Sequence, residues 1–273
     1  MQPRTSKLLA HDDASGGAAA LIGPIPARYW MPPLPEVASH AMILASSPRA
    51  NAVEVAHAVE ADPTLACRVM KIASSVVYAP TEPPRTVQAA ILRVGFQALR
   101  RILIAASTSA AYRAERSATE DLWVHALLTA LVADELAALA HHPRGGPEFL
   151  AAILHDIGRL VLHLTDPQRA AEASRDDDGL LERRVFGISH EEISAYVAQK
   201  WGLDRAIVEA ILTHHRPEDE IARRIAAAEQ IADAIENGSA NVGPPASDLT
   251  ELQQAAVVDL AVARFRTERA LFE

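Results

Sequence analysis

The chain has 273 residues, 49% hydrophobic but only 4% aromatic, and carries a formal net charge of −9. That length suffices for one large domain or two small ones around a sizeable core, and abundant alanine with few aromatics suits packed helices better than a sheet. The excess of acid argues against non-specific binding to nucleic acid or to anionic membrane, both of which require a cationic face.

The single cysteine, Cys67, excludes an intramolecular disulfide and fits a reducing compartment. Set among Leu65, Ala66 and Val69, it reads as an inert core thiol. Arg4 and Lys7 are followed by His11, Asp12 and Asp13 before any apolar run of signal-peptide length. No uncharged apolar stretch approaches the ~20 residues that span a bilayer. The expectation is a soluble, cytoplasmic, all-α protein with no membrane partner.

Residues 1–26, with Ser15-Gly16-Gly17 and Pro24-Ile25-Pro26, form a flexible lead-in. Pro32-Pro33-Leu34-Pro35 delays helix until Glu36, after which Val37, Ala41, Leu44 and Ala45 share a face. Asn51 with Glu54 makes a capping box for the next helix, to about Ala61. Asp62-Pro63 opens another, as N-cap and first-turn proline, with the stripe Leu65, Val69, Ile72, Val76. After a Pro80–Pro84 loop, Thr86 caps a helix carrying Val87, Ala90, Ile91 and Val94. Gly95 bends or ends it, and Leu99, Ile102, Leu103 and Ala106 continue to about Tyr112.

The charged stretch 113–120 marks a boundary between a lobe at 27–115 and a second at 116–240. Thr119 starts a long helix to His141, on which Leu122, His125, Ala126, Thr129 and Ala133 share one face, so His125 looks inward. Leu150, Ile153 and Leu154 form the apolar face of a short helix that begins at Pro147 and presents His155-Asp156 at its end, with Gly158 as left-handed terminator. Asp176-Asp177-Asp178-Gly179 is a solvated acidic turn. Ser189 and Glu192 make a second capping box, which puts His190 in the first turn of a helix reaching Trp201 and closed by Gly202. Ile207, Ala210, Ile211 and His214 share the next helical face, before Pro217. Ile221, Ile225, Ala228, Ala232 and Ile235 line the one after it, with Asp233 at the stripe's edge. A loop and a last, peripheral amphipathic helix occupy 241–273.

The inward-pointing polar groups are His125, His155, Asp156, His190, His214, His215 and Asp233. Taken singly, each reads as an ordinary core or rim residue. Jointly they offer only nitrogen and oxygen donors and no thiolate, the donor set of iron, manganese or zinc bound as one or two divalent ions.

The order His…His-Asp…Asp resembles the HD superfamily of metal-dependent phosphohydrolases. Met31-Pro32-Pro33-Leu34-Pro35-Glu36-Val37-Ala38, Glu60-Ala61-Asp62-Pro63-Thr64-Leu65 and Ala90-Ile91-Leu92-Arg93-Val94-Gly95 resemble the HDOD family. So do Trp123-Val124-His125, Leu154-His155-Asp156-Ile157-Gly158-Arg159, Phe186-Gly187-Ile188-Ser189-His190 and Trp201-Gly202-Leu203. This resemblance, running from about Pro32 to Asn237, implies a helical bundle in which an HDOD-type N-terminal lobe packs on an HD-like lobe. It also implies a bacterial signalling or regulatory module, working with other signalling proteins and generally without catalysis.

Carried over by position, His125, His155, Asp156 and Asp233 would bind one metal. His190, His214 and His215 would bind a second, with Asp156 bridging. Two departures matter. Ala73-Ser74-Ser75 stands where the family usually has Asn-Ser. His214-His215-Arg216-Pro217 lacks the Gly-Tyr-Pro continuation of cyclic-di-GMP phosphodiesterases, and Arg159 takes the place of their lysine. Cyclic-di-GMP hydrolysis is therefore disfavoured, while Arg159 remains suited to a phosphate.

Three functional readings follow. The favoured one is an HDOD-type regulatory module holding a metal. The alternative is a metal-dependent phosphohydrolase acting on a nucleotide-like phosphoester, with Asp156 and Arg159 as its catalytic residues. The third, a nucleic-acid face built from Arg93, Arg100 and Arg101 or from Arg264, Arg266 and Arg269, is opposed by the net charge.

Overall fold

The computed structural model describes residues 21–75, 82–113, 119–174, 179–238 and 249–272, and every regular element among them is a helix. The lead-in up to residue 20, Val76, the acidic run at 176–178 and most of the loop after Gly238 lie outside the described residues.

The first helices are α1 (Glu36–Ser46), α2 (Ala52–Glu60), α3 (Pro63–Ala73) and α4 (Val87–Arg113). Asn51 caps α2 by accepting from the Val53 N–H at 2.9 Å. Asp62 caps α3 by accepting from the N–H groups of Thr64 and Leu65, ahead of Pro63. The two helices expected around Gly95 run as one element with a kink there, since Gly95 adopts φ +81° and ψ 164°. All three shorter helices pack on α4, whose own residues Leu99, Ile102, Leu103 and Ile104 are fully buried. Cys67 is exposed rather than a core thiol. Leu65, Val69 and Ile72 face inward, and two residues along a helix from Leu65 is a turn of about 200°, to the far face.

They are followed by α5 (Glu120–Leu139), α6 (Pro147–Leu154), α7 (Ile157–Thr165), α8 (Pro167–Ala173), α9 (Leu180–Phe186), α10 (His190–Lys200), α11 (Arg205–Thr213), α12 (Glu220–Glu236) and α13 (Glu251–Phe272). Helix α5 is long and apolar enough by length and composition to cross a membrane, with a mean hydropathy of 1.6, yet 72% of that window is buried by the fold. An all-round apolar helix needs a partner on every side, and α6, α12 and α13 supply them. The main hydrophobic core runs from Ala38 in α1 to Ala261 in α13, and a smaller cluster of Tyr29, Val161, Leu162, Ala173, Phe186 and Ile193 lies beside it.

The segment before α1 reaches α9 and the end of α10. The N–H groups of Leu21 and Ile22 donate to Gln199 Oε1, so the end of the expected flexible lead-in is fastened. Tyr29 donates its hydroxyl to the Phe186 carbonyl at 2.8 Å, and Trp201 Nε1–H donates to the Pro32 carbonyl at 3.1 Å. The two distant motifs around Pro32 and Trp201 thus touch.

Helix α13 is pinned by charge rather than peripheral. Arg264 lies 2.9 Å from Asp134, 2.6 Å from Glu135 and 2.8 Å from Glu268, while Arg101 reaches Glu268 at 2.9 Å and Asp134 at 3.3 Å. The periodicity of one helix cannot reveal partners on another, so the carboxylates that engage Arg101 and Arg264 are not visible in the sequence around them. Arg101 is only 4% exposed.

Candidate metal centre

His155, His190, His214 and His215 sit at helix termini, while His125 projects from the body of α5. Helix α6 stops at Leu154, His155 and Asp156 form an elbow, and α7 departs at Ile157. Gly158 is not a left-handed terminator but a helical residue of α7. It lacks a side chain because α10 crosses there: a Cβ at 158 would collide with the His190 carbonyl oxygen and lie 2.8 Å from His190 Cα. The Gly158 N–H donates to Ser194 Oγ at 2.9 Å, fixing that crossing. Behind the Ser189–Glu192 capping box, His190 opens α10. His214 and His215 follow the end of α11.

This placement gives the same local device twice. A helix leaves its last carbonyls without partners; the His155 Nδ1–H donates to the Ala152 carbonyl at 2.6 Å, and the His214 Nδ1–H to the Ile211 carbonyl at 2.7 Å. A carbonyl can only accept, so the proton of each neutral ring is on Nδ1 and the Nε2 lone pair points onward. Burial holds both rings neutral. It pushes His155 down to about 4 and His214 well below the usual imidazole value. Both Nε2 atoms are buried without a hydrogen-bond partner, as is Asp156 Oδ1.

These orphans face one another. The rings of His155 and His214 are 5.1 Å apart, His190 and His214 5.5 Å, His190 and His215 5.0 Å, and His125 and His155 5.6 Å, centroid to centroid. Asp156 lies between two groups of ligands. Its Oδ2 is 3.7 Å from His155 Nε2, and its Oδ1 is 3.3 Å from His190 Nε2. In each of the triads His125–His155–Asp156, His190–His214–His215 and His155–His214–Glu229, one potential ligand atom per residue lies within 4.8 Å of the others.

Six of the seven residues singled out in the sequence fall in these triads, and Asp233 joins His125 and Glu236 in a further group at the rim. It stands on the rim with an exposed carboxylate, 3.6 Å from His125 Nδ1 and beside Glu236, which is 3.2 Å from the same nitrogen. The residue of α12 that approaches His155 and His214 is Glu229, one turn earlier. The acidic series Glu229, Asp233, Glu236 at i, i+4, i+7 was a readable signal of a carboxylate face. Glu182, a deeply buried partner of His190 from α9, had no local signal at all.

The charges are mutually arranged. Burial would raise the Asp156 carboxyl, but Arg159, His155 and His190 together hold it well below the usual range; the Arg159 Nε is 3.0 Å from its Oδ2. Burial opposes protonation of His125, yet the hydrogen bond to Glu236 and the charges of Asp156 and Asp233 lift it to about 9. His190 also rises, Asp156 and Glu182 outweighing burial, whereas His215 falls through burial and the neighbouring His190. Burial, then Asp156, pushes Glu229 up to about 7. A buried carboxyl that resists ionising beside another carboxylate marks a site that would welcome a cation. Nitrogen lone pairs with carboxylate oxygens fit a divalent transition metal.

Helices stacked around a convergent His/Asp cluster define an HD-like helical protein. The HDOD domain matches residues 31–217, and the chain belongs to that family. Among solved structures, a candidate signal transduction protein from Marinobacter aquaeolei is 28% identical, covering 89% of this chain and 59% of its own, with a TM-score of 0.65. A candidate phosphohydrolase from Shewanella amazonensis is 24% identical over 89% of this chain and 92% of its own, with a TM-score of 0.65. A candidate metal-dependent phosphohydrolase from the same organism is 18% identical over 90% and 93%, with a TM-score of 0.63. The last two, under a quarter identical, show the shared fold. An uncharacterised protein of Treponema pallidum is 21% identical over 192 residues, and the chain spans 37% of its length.

Proposed function

We propose that the chain is an HDOD-type regulatory module of bacterial, cytoplasmic signalling, working with other signalling proteins, whose second lobe holds one or two divalent ions, iron, manganese or zinc. One observation carries this reading: three buried polar atoms, His155 Nε2, His214 Nε2 and Asp156 Oδ1, converge without hydrogen-bond partners. Leaving such atoms unsatisfied costs about 1–3 kcal/mol each, and two ions, one at His155 and Asp156 and one at His214, would satisfy all three. His125, His155 and Asp156 would hold one ion, with Asp233 or Glu229 closing from α12. His190, His214 and His215 would hold another, with Asp156 between them. A bound pair would supply Lewis acidity and a clamp for a phosphoryl group.

The test is elemental analysis of untagged protein purified without chelators. At least one equivalent of transition metal is expected, lost in Asp156→Ala and His155→Ala variants that keep the wild-type helical spectrum. Absence of metal, both as purified and after dialysis against each of the three ions, would refute it.

The second reading is a metal-dependent phosphohydrolase acting on a nucleotide-like phosphoester. What favours it is Arg159, a guanidinium at the edge of the cluster suited to a phosphate. Under the favoured reading a phosphate-containing small molecule binds without turnover. Hydrolysis of nucleotides by metal-loaded protein, abolished in Arg159→Ala and Asp156→Ala, would establish the second reading instead.

A further inference from the structure

His155 and His214 each find an acceptor for Nδ1–H in the free carbonyls at the C-terminal end of a helix. His190 cannot. It is the first residue of α10, and the first turn of a helix exposes N–H groups, not carbonyls. Nor is an acceptor available from its own cap, because the Glu192 carboxylate accepts from the Ser189 N–H at 3.0 Å and pairs with Arg183 at 2.8 Å. The carboxylate of Glu191, the next residue, stays 3.7 Å from the ring nitrogen, beyond hydrogen-bond reach.

Glu182 supplies what the helix lacks. Its side chain is 3% exposed, and its Oε2 accepts both the His190 backbone N–H at 2.6 Å and the His190 Nδ1–H at 2.7 Å. One oxygen thus satisfies an unpaired donor of the helix start and fixes the ring. With Nδ1 protonated, Nε2 is turned to the centre, 3.3 Å from Asp156 Oδ1 and 3.0 Å from His215 Nε2.

We infer that Glu182 is a positioning residue for the metal centre: it locks His190 in the Nδ1–H tautomer and so presents the Nε2 lone pair as a ligand. The inference deepens the metal-centre reading and rests on it for its consequence, although the tautomer itself does not depend on a bound ion. Carboxylates that orient a ligating imidazole commonly govern affinity. The ring of His190 belongs to the His190–His214–His215 triad, so that group of ligands should feel the loss of Glu182 first.

Two measurements on the full chain separate the possibilities. The first is the pair of ring ¹⁵N shifts of His190 in metal-free protein, at a pH alkaline enough for the rings to be neutral. Wild type is expected to show a protonated Nδ1 and a bare Nε2; Glu182→Ala should shift the ring to a mixture or to the Nε2–H form. The second is zinc titration. Glu182→Ala is expected to lose roughly 10–100-fold in affinity for one of two sites. Glu182→Gln, which keeps an acceptor without the charge, should recover much of it at unchanged helicity.

A wild-type His190 protonated on Nε2 overturns the proposal, whether or not any variant folds. So does a folded Glu182→Ala protein with wild-type tautomer or wild-type zinc affinity. Wild-type protein that takes up no zinc, manganese or iron defeats the metal-centre reading instead, and the ring shifts still decide whether Glu182 sets the tautomer.

Discussion

Replacing Gly158 by alanine sets two physical effects of opposite sign against each other. Gly158 lies in α7 with helical geometry, where alanine normally stabilises by about 0.5–1 kcal/mol. Here the new methyl would overlap the His190 carbonyl oxygen and sit 2.8 Å from both the Cα and the carbonyl carbon of His190. Ordinary carbon–carbon contact is about 3.5–4.0 Å, so α10 must move away from α7 by about 1 Å. All three atoms are backbone, so no side-chain rotation relieves them. Overpacking of this kind costs about 1–3 kcal/mol, and the Gly158 N–H to Ser194 hydrogen bond at 2.9 Å stretches with it. The expected net loss is about 1–2 kcal/mol, or a melting point lower by roughly 2–8 °C. The same displacement carries His190 away from Asp156, when ligand distances tolerate only about 0.2 Å; metal content should therefore fall in parallel. Thermal unfolding and elemental analysis of the variant check both effects. A Gly158→Ala protein as stable as wild type, or more so, with its metal retained would refute the close-crossing argument.

Further outcomes are expected from other parts of the molecule. Arg264→Met should cost about 1.5–3 kcal/mol in urea unfolding, because it removes one arginine from a buried network in which Arg101 still pairs with Asp134 and Glu268 and Arg144 with Glu135; a loss under about 1 kcal/mol would show that these pairs are screened by water. In metal-free protein, burial holds His155 at about 4. The unfolded chain then takes up this proton first, so stability falls as pH drops from 6.5 towards 4, by up to roughly 3 kcal/mol from this group. Ring NMR with a His155 midpoint near 6.5 would contradict it. A bound ion at 100 times its dissociation constant adds about 2.7 kcal/mol. Chelation should therefore lower the melting point of wild type by several degrees and leave Asp156→Ala unmoved, and equal shifts in both would place the ion elsewhere.

What the sequence could and could not reveal divides along physical lines. Caps are local, so Asp62, Ser189 with Glu192, and the kink at Gly95 were legible from a few neighbours. Helical period is local too, and it turned His125 and His214 inward without any knowledge of what they face. Relations between helices are not local. Gly158 looked like a terminator because a glycine after an apolar run commonly is one, whereas its reason lies in the backbone of His190, more than thirty residues away. Cys67 looked buried because its sequence neighbours are apolar, although helical rotation sends it to the opposite face. The pairing of the buried Arg101 and the partly buried Arg264 is illegible for a related cause: a charge on a helix gives no sign of a carboxylate waiting on the next one.

The contrast between Asp233 and Glu229 shows why a ligand set is harder to read than a fold. The superfamily order asks for a final carboxylate, and α12 offers three on one side, at 229, 233 and 236. One turn of helix, about 5.4 Å, separates the first two, so Glu229 stands near His155 and His214 while Asp233 stands beside His125 with Glu236. Periodicity names the face but not the depth, because depth is set by where α12 crosses α5 and α11. The histidines escaped this ambiguity because each of the three buried rings is tied at Nδ1, two by helix-end carbonyls and one by Glu182. A ring anchored on one nitrogen can point the other in only one direction. The buried rings are thus aimed by helix termini, which fix direction, whereas His125 and Glu229 come from helix faces, which fix only side.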